Sequence, residues 1–491
     1  MTRTWVAATA LVGLMTSTAA AQDAKTVISN ASKAMGAENL NAITLYGAAA
    51  NFNLGQSNNA NGQWPRNNVS DYSRSIDFTQ PASRATGVTF GAPVTGGPAV
   101  QGQFQQNITP ANAAWAQQLE IWVTPWGFLK GAAANNATAK AQNMGGRRFQ
   151  VVTWNAPVKA PSGIPYKVVG YINPSNMVER VETWLENPIF GDMLVESIYT
   201  EYREAAGGVK YPASIVQRRG GGSTFEAQIL GANVNPANIK ELVTPPPPAA
   251  GRGGGPGGPG GPGAAPAGPT SEKLAEGVFR INGAYNALAV EFADHIFLYE
   301  PGPQNEARSL AIIAETKKVI PNKPIRYGVI SHHHFDHTSG LPGAVAEGIT
   351  IVTHQTNVAF FERAMAAPRT LAPDAMSKSG KKLKIEGIAG DKRVFQDATR
   401  TVEVHQIKGL PHADGNLIVY LPKERILAYA DMFNLPTAAN PVPNPPVTGT
   451  MVFLENIERL KLDPERIMSV HSLNPDRLTN VADIRASLGK K

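Results

Sequence analysis

A long run of proline and glycine, residues 245–270, constrains the fold of this 491-residue chain more than any other segment. Nineteen of its 26 residues are proline or glycine. Such a segment has almost no apolar surface to bury and cannot recover the entropy lost on ordering, so it predicts a disordered linker. The sequence therefore predicts two folded regions on either side of it, residues 22–244 and residues 271–491.

The first 21 residues have the pattern of a secretory signal peptide. Arg3 precedes an apolar stretch at residues 5–15, and small residues follow up to residues 19–21. The apolar stretch is shorter than the roughly 20 residues that a membrane-spanning helix needs. We therefore expect residues 1–21 to be removed and the mature protein to be periplasmic or secreted, without a transmembrane span.

Composition limits the chemistry and the partners of the chain. It contains no cysteine, which excludes disulfides, thiolate metal sites and thiol nucleophiles, so any metal must be bound by His, Asp or Glu. The net charge of +7 is spread along the sequence and forms no basic block. Nucleic-acid binders usually concentrate their Lys and Arg on one face or arm, so we expect no nucleic-acid partner.

The sequence pattern of the first region, residues 22–244, predicts a β-rich α+β domain. Apolar residues at helical spacing predict one helix that stops at Gly36. The predicted strands that follow, separated by turn signals, are residues 43–52, 148–153, 166–172, 177–185, 194–202 and 223–230. Together they predict a curved antiparallel sheet with a helix packed against it.

The motif that carries chemistry is S-H-H-H-F-D-H-T at residues 331–338, directly after a predicted buried strand. In extended backbone, His332 and His334 point the same way, so both imidazoles can share one metal ion. Asp336 and His337 begin the next segment and can face a second ion a few ångströms away. The spacing therefore predicts two half-sites of a binuclear centre.

The rest of this region alternates short apolar strands with helical patterns, which is typical of an α/β domain. Carboxyl ends of strands are where open α/β sheets build ligand sites. Three further candidate ligands each follow a predicted strand: His412, Asp431 and His471. A set of nitrogen and oxygen ligands without sulfur suits zinc, and iron or manganese is also compatible with it.

In this motif and in the order of the later ligands, residues 271–491 resemble the metallo-β-lactamase superfamily. The resemblance implies an αββα sandwich with two zinc ions at one edge. It also implies the ligands of the two ions: His332, His334 and His412 for the first, Asp336, His337 and His471 for the second, and Asp431 as the bridge. The chain departs from the family pattern at Glu300, where an aspartate is common, and at Ser472, where a glycine is common.

These residues predict an exported binuclear hydrolase. Two divalent ions lower the pKa of a shared water, and the resulting hydroxide attacks a carbonyl substrate such as a lactone, β-lactam, ester or thioester. Asp336 is the candidate for orienting the hydroxide or passing its proton to the leaving group, and Asp431 is the second candidate catalytic residue.

Several alternatives stay open. One is an iron-dependent redox enzyme on the same fold, and another is a nuclease, which the export pattern and diffuse charge oppose. Residues 165–235 loosely resemble the half-barrel of periplasmic lipoprotein carriers. That resemblance implies a groove for a lipophilic ligand, and hence a binding protein with a vestigial metal domain, unless the sheet only shields or orients the second domain.

Overall fold

The structure is a computed structural model that describes residues 23–91, 100–109, 114–246, 268–436, 442 and 445–490. The predicted signal peptide, residues 1–21, and most of the predicted linker, residues 245–270, lie outside the described residues. Within the described ranges, no helix is both long and apolar enough to cross a membrane.

The first region folds into one large antiparallel sheet with a few helices. Its described strands are β1 (Ala42–Phe52), β2 (Arg66–Asp77), β3 (Ala82–Gly91), β4 (Val100–Ile108), β5 (Thr138–Met144), β6 (Arg147–Lys159), β7 (Pro165–Ile172), β8 (Val178–Asn187), β9 (Gly191–Glu204), β10 (Lys210–Arg219) and β11 (Gly222–Val234). Its described helices are α1 (Ala24–Ala34), α2 (Trp115–Trp122), α3 (Pro125–Ala134) and α4 (Ile239–Val243). The strands pair in the order β4-β3-β2-β1-β11-β10-β9-β8-β7-β6-β5, and all neighbours are antiparallel.

The six predicted runs correspond to β1, β6, β7, β8, β9 and β11, whereas β2 to β5 and β10 were not predicted. Strand β2 shows the physical reason, because its buried side chains include the polar Arg74 and Asp77. Arg74 satisfies its guanidinium by donating to the hydroxyl of Ser83 at 3.1 Å and to the backbone oxygen of Glu120 at 2.8 Å. A strand that mixes polar residues among its buried apolar ones lacks the regular apolar alternation on which sequence prediction depends.

Helices α1 to α3 cover one face of this sheet. Val27 of α1, Leu119 of α2 and Phe128 of α3 belong to the same buried apolar cluster as Val168 and Val195 of the sheet. Fully burying a side chain of this kind contributes about 1.5–3 kcal/mol relative to leaving it exposed. The apolar face of the sheet is thus filled by the chain's own helices.

The second region folds into two sheets with flanking helices. Its described strands are β12 (Thr270–Ala275), β13 (Val278–Asn282), β14 (Ala287–Glu291), β15 (Ile296–Tyr299), β16 (Ile325–Val329), β17 (Thr350–His354), β18 (Lys384–Ile388), β19 (Lys392–Gln396), β20 (Thr401–Gln406), β21 (Leu417–Leu421), β22 (Ile426–Tyr429) and β23 (Arg466–Ser469). Its described helices are α5 (Glu306–Val319), α6 (Phe335–Thr338), α7 (Leu341–Glu347), α8 (Gln355–Met365), α9 (Ala375–Ser379), α10 (Thr448–Arg459) and α11 (Val481–Ser487). One sheet has the order β12 to β18 and the other β19 to β23. Strands β15 to β18 are parallel, as are β22 and β23.

Alternation along β14 shows how these layers pack. Ala287 and Ala289 point into the cluster that contains Ile312 of α5. Leu288 and Val290 point the other way, into a cluster shared with strands β20 to β23 of the second sheet. The opposite face of that second sheet packs against α10 and α11. Both sheets therefore bury apolar side chains on two faces.

The two regions are packed against each other. Ala60 and Ile189 of the first region are buried in an apolar cluster of the second, and Leu371 of the second is buried in the cluster of the first. Arg369 donates to the backbone oxygens of Pro188 and Ile189, both at 2.9 Å. These contacts place loops of the β-rich region beside the edge where the predicted ligands lie.

Candidate metal centre

Every predicted ligand lies after the carboxyl end of a strand. His332, His334, Asp336 and His337 follow β16. His412 follows β20, Asp431 follows β22 and His471 follows β23. Asp431 has a φ of 59°, in the left-handed region that aspartate tolerates better than most residues. The structure brings all seven side chains together at one edge of the two sheets.

Three buried histidines form the first part of the centre. The ligand atoms of His332, His334 and His412 all lie within 4.8 Å of one another. The Nε2 atoms of His332 and His412 are 3.2 Å apart. Burial, together with the neighbouring histidines, lowers the pKa of His332 and of His334 well below its ordinary value. Both imidazoles are therefore neutral at neutral pH, which is the form that binds metal ions.

The second part consists of Asp336, His337 and His471, whose ligand atoms also lie within 4.8 Å of one another. Asp431 lies between the two parts. Its Oδ2 atom is 2.7 Å from Nε2 of His337 and 3.8 Å from Nε2 of His332. Its Oδ1 atom is 2.9 Å from Nε2 of His471. The carboxylate is therefore within reach of both groups.

The histidines of the second part lower the pKa of the two aspartates in the centre, Asp336 and Asp431. Burial alone would raise the pKa of Asp431, but His337 and His471 hold it well below its ordinary value. Burial acts in the same direction on Asp336, but His337, the hydrogen bond from Gln56 and His471 together outweigh it, so the pKa of Asp336 is also lowered. Both carboxylates are ionised at neutral pH and offer negatively charged oxygen ligands.

The donor set fits a pair of divalent cations. Two pairs of imidazole nitrogens face each other at 3.2 Å. The Nδ1 atom of His334 is buried and has no hydrogen-bond partner in the part of the chain that the structure describes. Buried polar atoms without partners are rare in folded proteins, and a bound cation would satisfy this one. The absence of sulfur ligands suits zinc, with iron or manganese also compatible.

The other histidines lie outside these groups of ligand atoms. The Nε2 atom of His333 bonds the backbone oxygen of Ser57 at 2.8 Å, and its ring centroid is 6.3 Å from that of Phe360. The remaining three have local partners: His295 pairs with Asp294, His354 caps α8, and His405 pairs with Glu403. Each of these three side chains is therefore engaged by a neighbouring group and not by the candidate ligands.

Glu300 supports the centre, a role that the sequence analysis missed. Its side chain is fully buried, and its Oε2 atom accepts a hydrogen bond from Nδ1 of His337 at 2.8 Å. Its Oε1 atom accepts from the backbone N–H of Ser331 at 2.6 Å. With a proton held on Nδ1 by Glu300, His337 would offer its Nε2 atom to a bound metal ion. One sequence feature could have indicated this role: Glu300 directly follows β15, the strand that pairs with β16, and the ligand motif follows β16.

Tyr285 is a second contact that was missed, and nothing in its sequence surroundings indicated it. Its hydroxyl donates to Oδ2 of Asp336 at 3.1 Å, and its ring centroid is 4.4 Å from that of His471. Burial and the nearby Asp336 raise the pKa of Tyr285, so the hydroxyl stays protonated and remains a donor. Ser472 bonds the backbone of residues 283–284 and so holds the segment before Tyr285.

Glu300→Gln is expected to weaken metal binding by about 10- to 100-fold, the usual effect of losing a partner that orients a ligand. A glutamine offers one oxygen where His337 and Ser331 each need an acceptor, so one donor faces an amide N–H. Zinc affinity would be measured by competition with a chromophoric chelator. Glu300→Asp, which keeps the charge, is the control, and unchanged affinity in Glu300→Gln would contradict the assigned role.

Comparison with known proteins places similarity in the second region. Residues 281–469 match the model of a family described as the metallo-beta-lactamase superfamily. This range contains six of the seven predicted ligands, and His471 lies just beyond it. No curated protein matches the chain.

Solved structures are similar over slightly less than half of the chain. A metallo-beta-lactamase from Pontibacter korlensis is 15% identical, covers 45% of this chain and 97% of its own, and has a TM-score of 0.33. One from Hirschia baltica is 17% identical, with 45% and 97% coverage and a TM-score of 0.34. A flavodiiron protein from Giardia intestinalis is 13% identical, with 45% and 58% coverage and a TM-score of 0.33.

Proposed function

Because residues 281–469 match the model of the metallo-β-lactamase superfamily, we propose that the protein is a binuclear metal-dependent hydrolase with zinc as its metal. The observation that carries the proposal is the position of Asp431, whose carboxylate reaches His332 of one ligand group and His337 of the other. A carboxylate in this position would be able to bind both of two closely spaced ions.

We also infer the αββα layering of the second region. It is supported by the apolar clusters, which join α5, α7 and α8 to the first sheet, the first sheet to the second, and the second sheet to α10 and α11. In this arrangement the ligand segments leave the strands at one open edge, where a substrate can approach.

Bound divalent ions would supply hydroxide at neutral pH and polarise a carbonyl oxygen. The chain's own contribution is to hold the ligands and to position Asp336. Gln56 donates to Oδ1 of Asp336 at 2.8 Å, and Tyr285 donates to its Oδ2 at 3.1 Å. A carboxylate held at both oxygens is suited to orienting a nucleophile or transferring its proton to a leaving group.

The proposed substrates are small molecules with a carbonyl centre, namely lactones, β-lactams, esters or thioesters. A lipophilic ligand in the first region has less support, because α2 and α3 fill the apolar face of its sheet. We also propose export to the periplasm or the medium, which is supported by the N-terminal sequence pattern. The protein recovered from those fractions is expected to have its N-terminus near Gln22, which its measured mass would show.

Metal removal is the direct test of the proposed function. Protein purified without chelators is expected to contain about two zinc ions per chain and to hydrolyse a chromogenic cephalosporin, a lactone or an aryl ester. Chelation should abolish hydrolysis and zinc should restore it, because neutral water is a poor nucleophile without the ions. Iron with oxygen reduction and no hydrolysis would favour the redox alternative, and protein that binds no metal would reject the proposal.

A further inference from the structure

A loop of the β-rich region, residues 55–58 between β1 and β2, reaches the candidate metal centre of the other region. We call Gly55, Gln56, Ser57 and Asn58 the 55–58 loop. Gly55 has a φ of +79°, and a Cβ atom on it would lie 2.2 Å from the Phe335 ring. Only glycine combines this backbone conformation with so close an approach, so the loop is fitted against α6, which carries Asp336.

Gln56 makes the most direct contact. Its Nε2 atom donates to Oδ1 of Asp336 at 2.8 Å, across 280 residues of sequence. Tyr285 already binds Oδ2 of the same carboxylate. With both oxygens bonded, the plane of the carboxylate is fixed, and so is the direction in which its remaining lone pairs point.

The carbonyl of Ser57 acts on the other half of the centre. It accepts from Nε2 of His334 at 2.9 Å and from Nε2 of His333 at 2.8 Å. A carbonyl oxygen can only accept, so the proton of His334 is on Nε2. Its Nδ1 atom, which is buried, is then the nitrogen that keeps a lone pair for a metal ion.

Asn58 extends the contact to the segment that carries His412. Its backbone oxygen accepts from the N–H of Asp414 at 2.7 Å, and its side-chain amide donates to the oxygen of Pro411 at 2.9 Å. These two partners flank His412 in sequence. The loop thus contacts the two segments that supply five of the seven ligands.

We propose that the 55–58 loop is a part of the metal centre, with Gln56 as a positioning residue for Asp336. The Ser57 carbonyl selects Nδ1 of His334 as its metal-binding nitrogen. The inference rests on the proposed function, because it requires the binuclear centre. It gives the β-rich region a role: docking of this region completes the ligand geometry.

The test uses the full chain and compares Gln56→Met with Gln63→Met. Methionine has nearly the size of glutamine but no N–H, and Gln63 is an exposed residue that follows the same loop. Gln56→Met is expected to bind the zinc ion of the group that contains Asp336 about 10- to 100-fold less tightly, as chelator competition would measure. The visible absorption of cobalt(II)-loaded protein should also change, because it reports the geometry of the ligands.

A purely structural role for Gln56 would lower the unfolding temperature but leave the cobalt spectrum and the zinc affinities unchanged, and that result would overturn the inference. Gln63→Met should match the unsubstituted protein in all three measurements. The two proposals fail in different ways. If the unsubstituted protein binds no pair of ions, the proposed function fails and this inference with it. If it binds two and Gln56→Met binds them identically, this inference alone fails.

Discussion

Asp431→Asn is expected to lower the metal content from two ions per chain to one or none and to reduce hydrolysis by more than about 100-fold, which exceeds the usual loss for an orienting partner. The Oδ2 atom of Asp431 lies 3.8 Å from Nε2 of His332 in the first ligand group and 2.7 Å from Nε2 of His337 in the second, so both ions would lose a negatively charged ligand. Asparagine also tolerates the φ of 59°, so the backbone should be retained.

The measurement is elemental analysis beside the rate of substrate turnover. Asp463→Asn is a matched control, because the Asp463 side chain is 83% exposed and its ion pair with Arg425 lies at the surface. That variant should keep two ions and full activity. Full activity in Asp431→Asn would show that the bridging assignment is wrong.

Arg369→Met is expected to lower the free energy of unfolding by about 3 kcal/mol, in the range for breaking a buried ion pair. The Arg369 side chain is 3% exposed and pairs with Asp374 at 2.8 Å. It also donates to the backbone oxygens of residues 188 and 189. Methionine fills similar space but leaves these carbonyls without a donor and Asp374 without its partner.

Urea unfolding would measure the change in the free energy of unfolding. The value is taken from the first unfolding transition, because a chain of several domains need not unfold in one step. Arg326→Met is the control, because the ion pair of Arg326 with Asp294 is exposed and screened by solvent, so its loss should change the stability little. Because the 55–58 loop depends on docking of the two regions, Arg369→Met should also weaken zinc binding. Equal stability of the two variants would contradict the role of Arg369 at this interface.

Part of the fold could be predicted from the sequence and part could not, for a physical reason that differs between strands. Strand β7 (Pro165–Ile172) is rich in apolar residues and buries Val168, so its pattern was readable. Strand β2 buries Arg74, and the cost is compensated by Ser83 of β3 and the backbone oxygen of Glu120 in α2. Local sequence carries no sign of such compensation.

The sequence by itself determined which side chains share a half-site where they are neighbours along one segment, as His332 and His334 are in the first and Asp336 and His337 in the second, because the local backbone sets their relative directions. Only the tertiary structure decided that Glu300 orients His337 and that Gln56 holds Asp336. Those pairs are 37 and 280 residues apart. Such contacts depend on how packed elements bring distant backbone segments within about 3 Å, and no spacing within one segment encodes that distance.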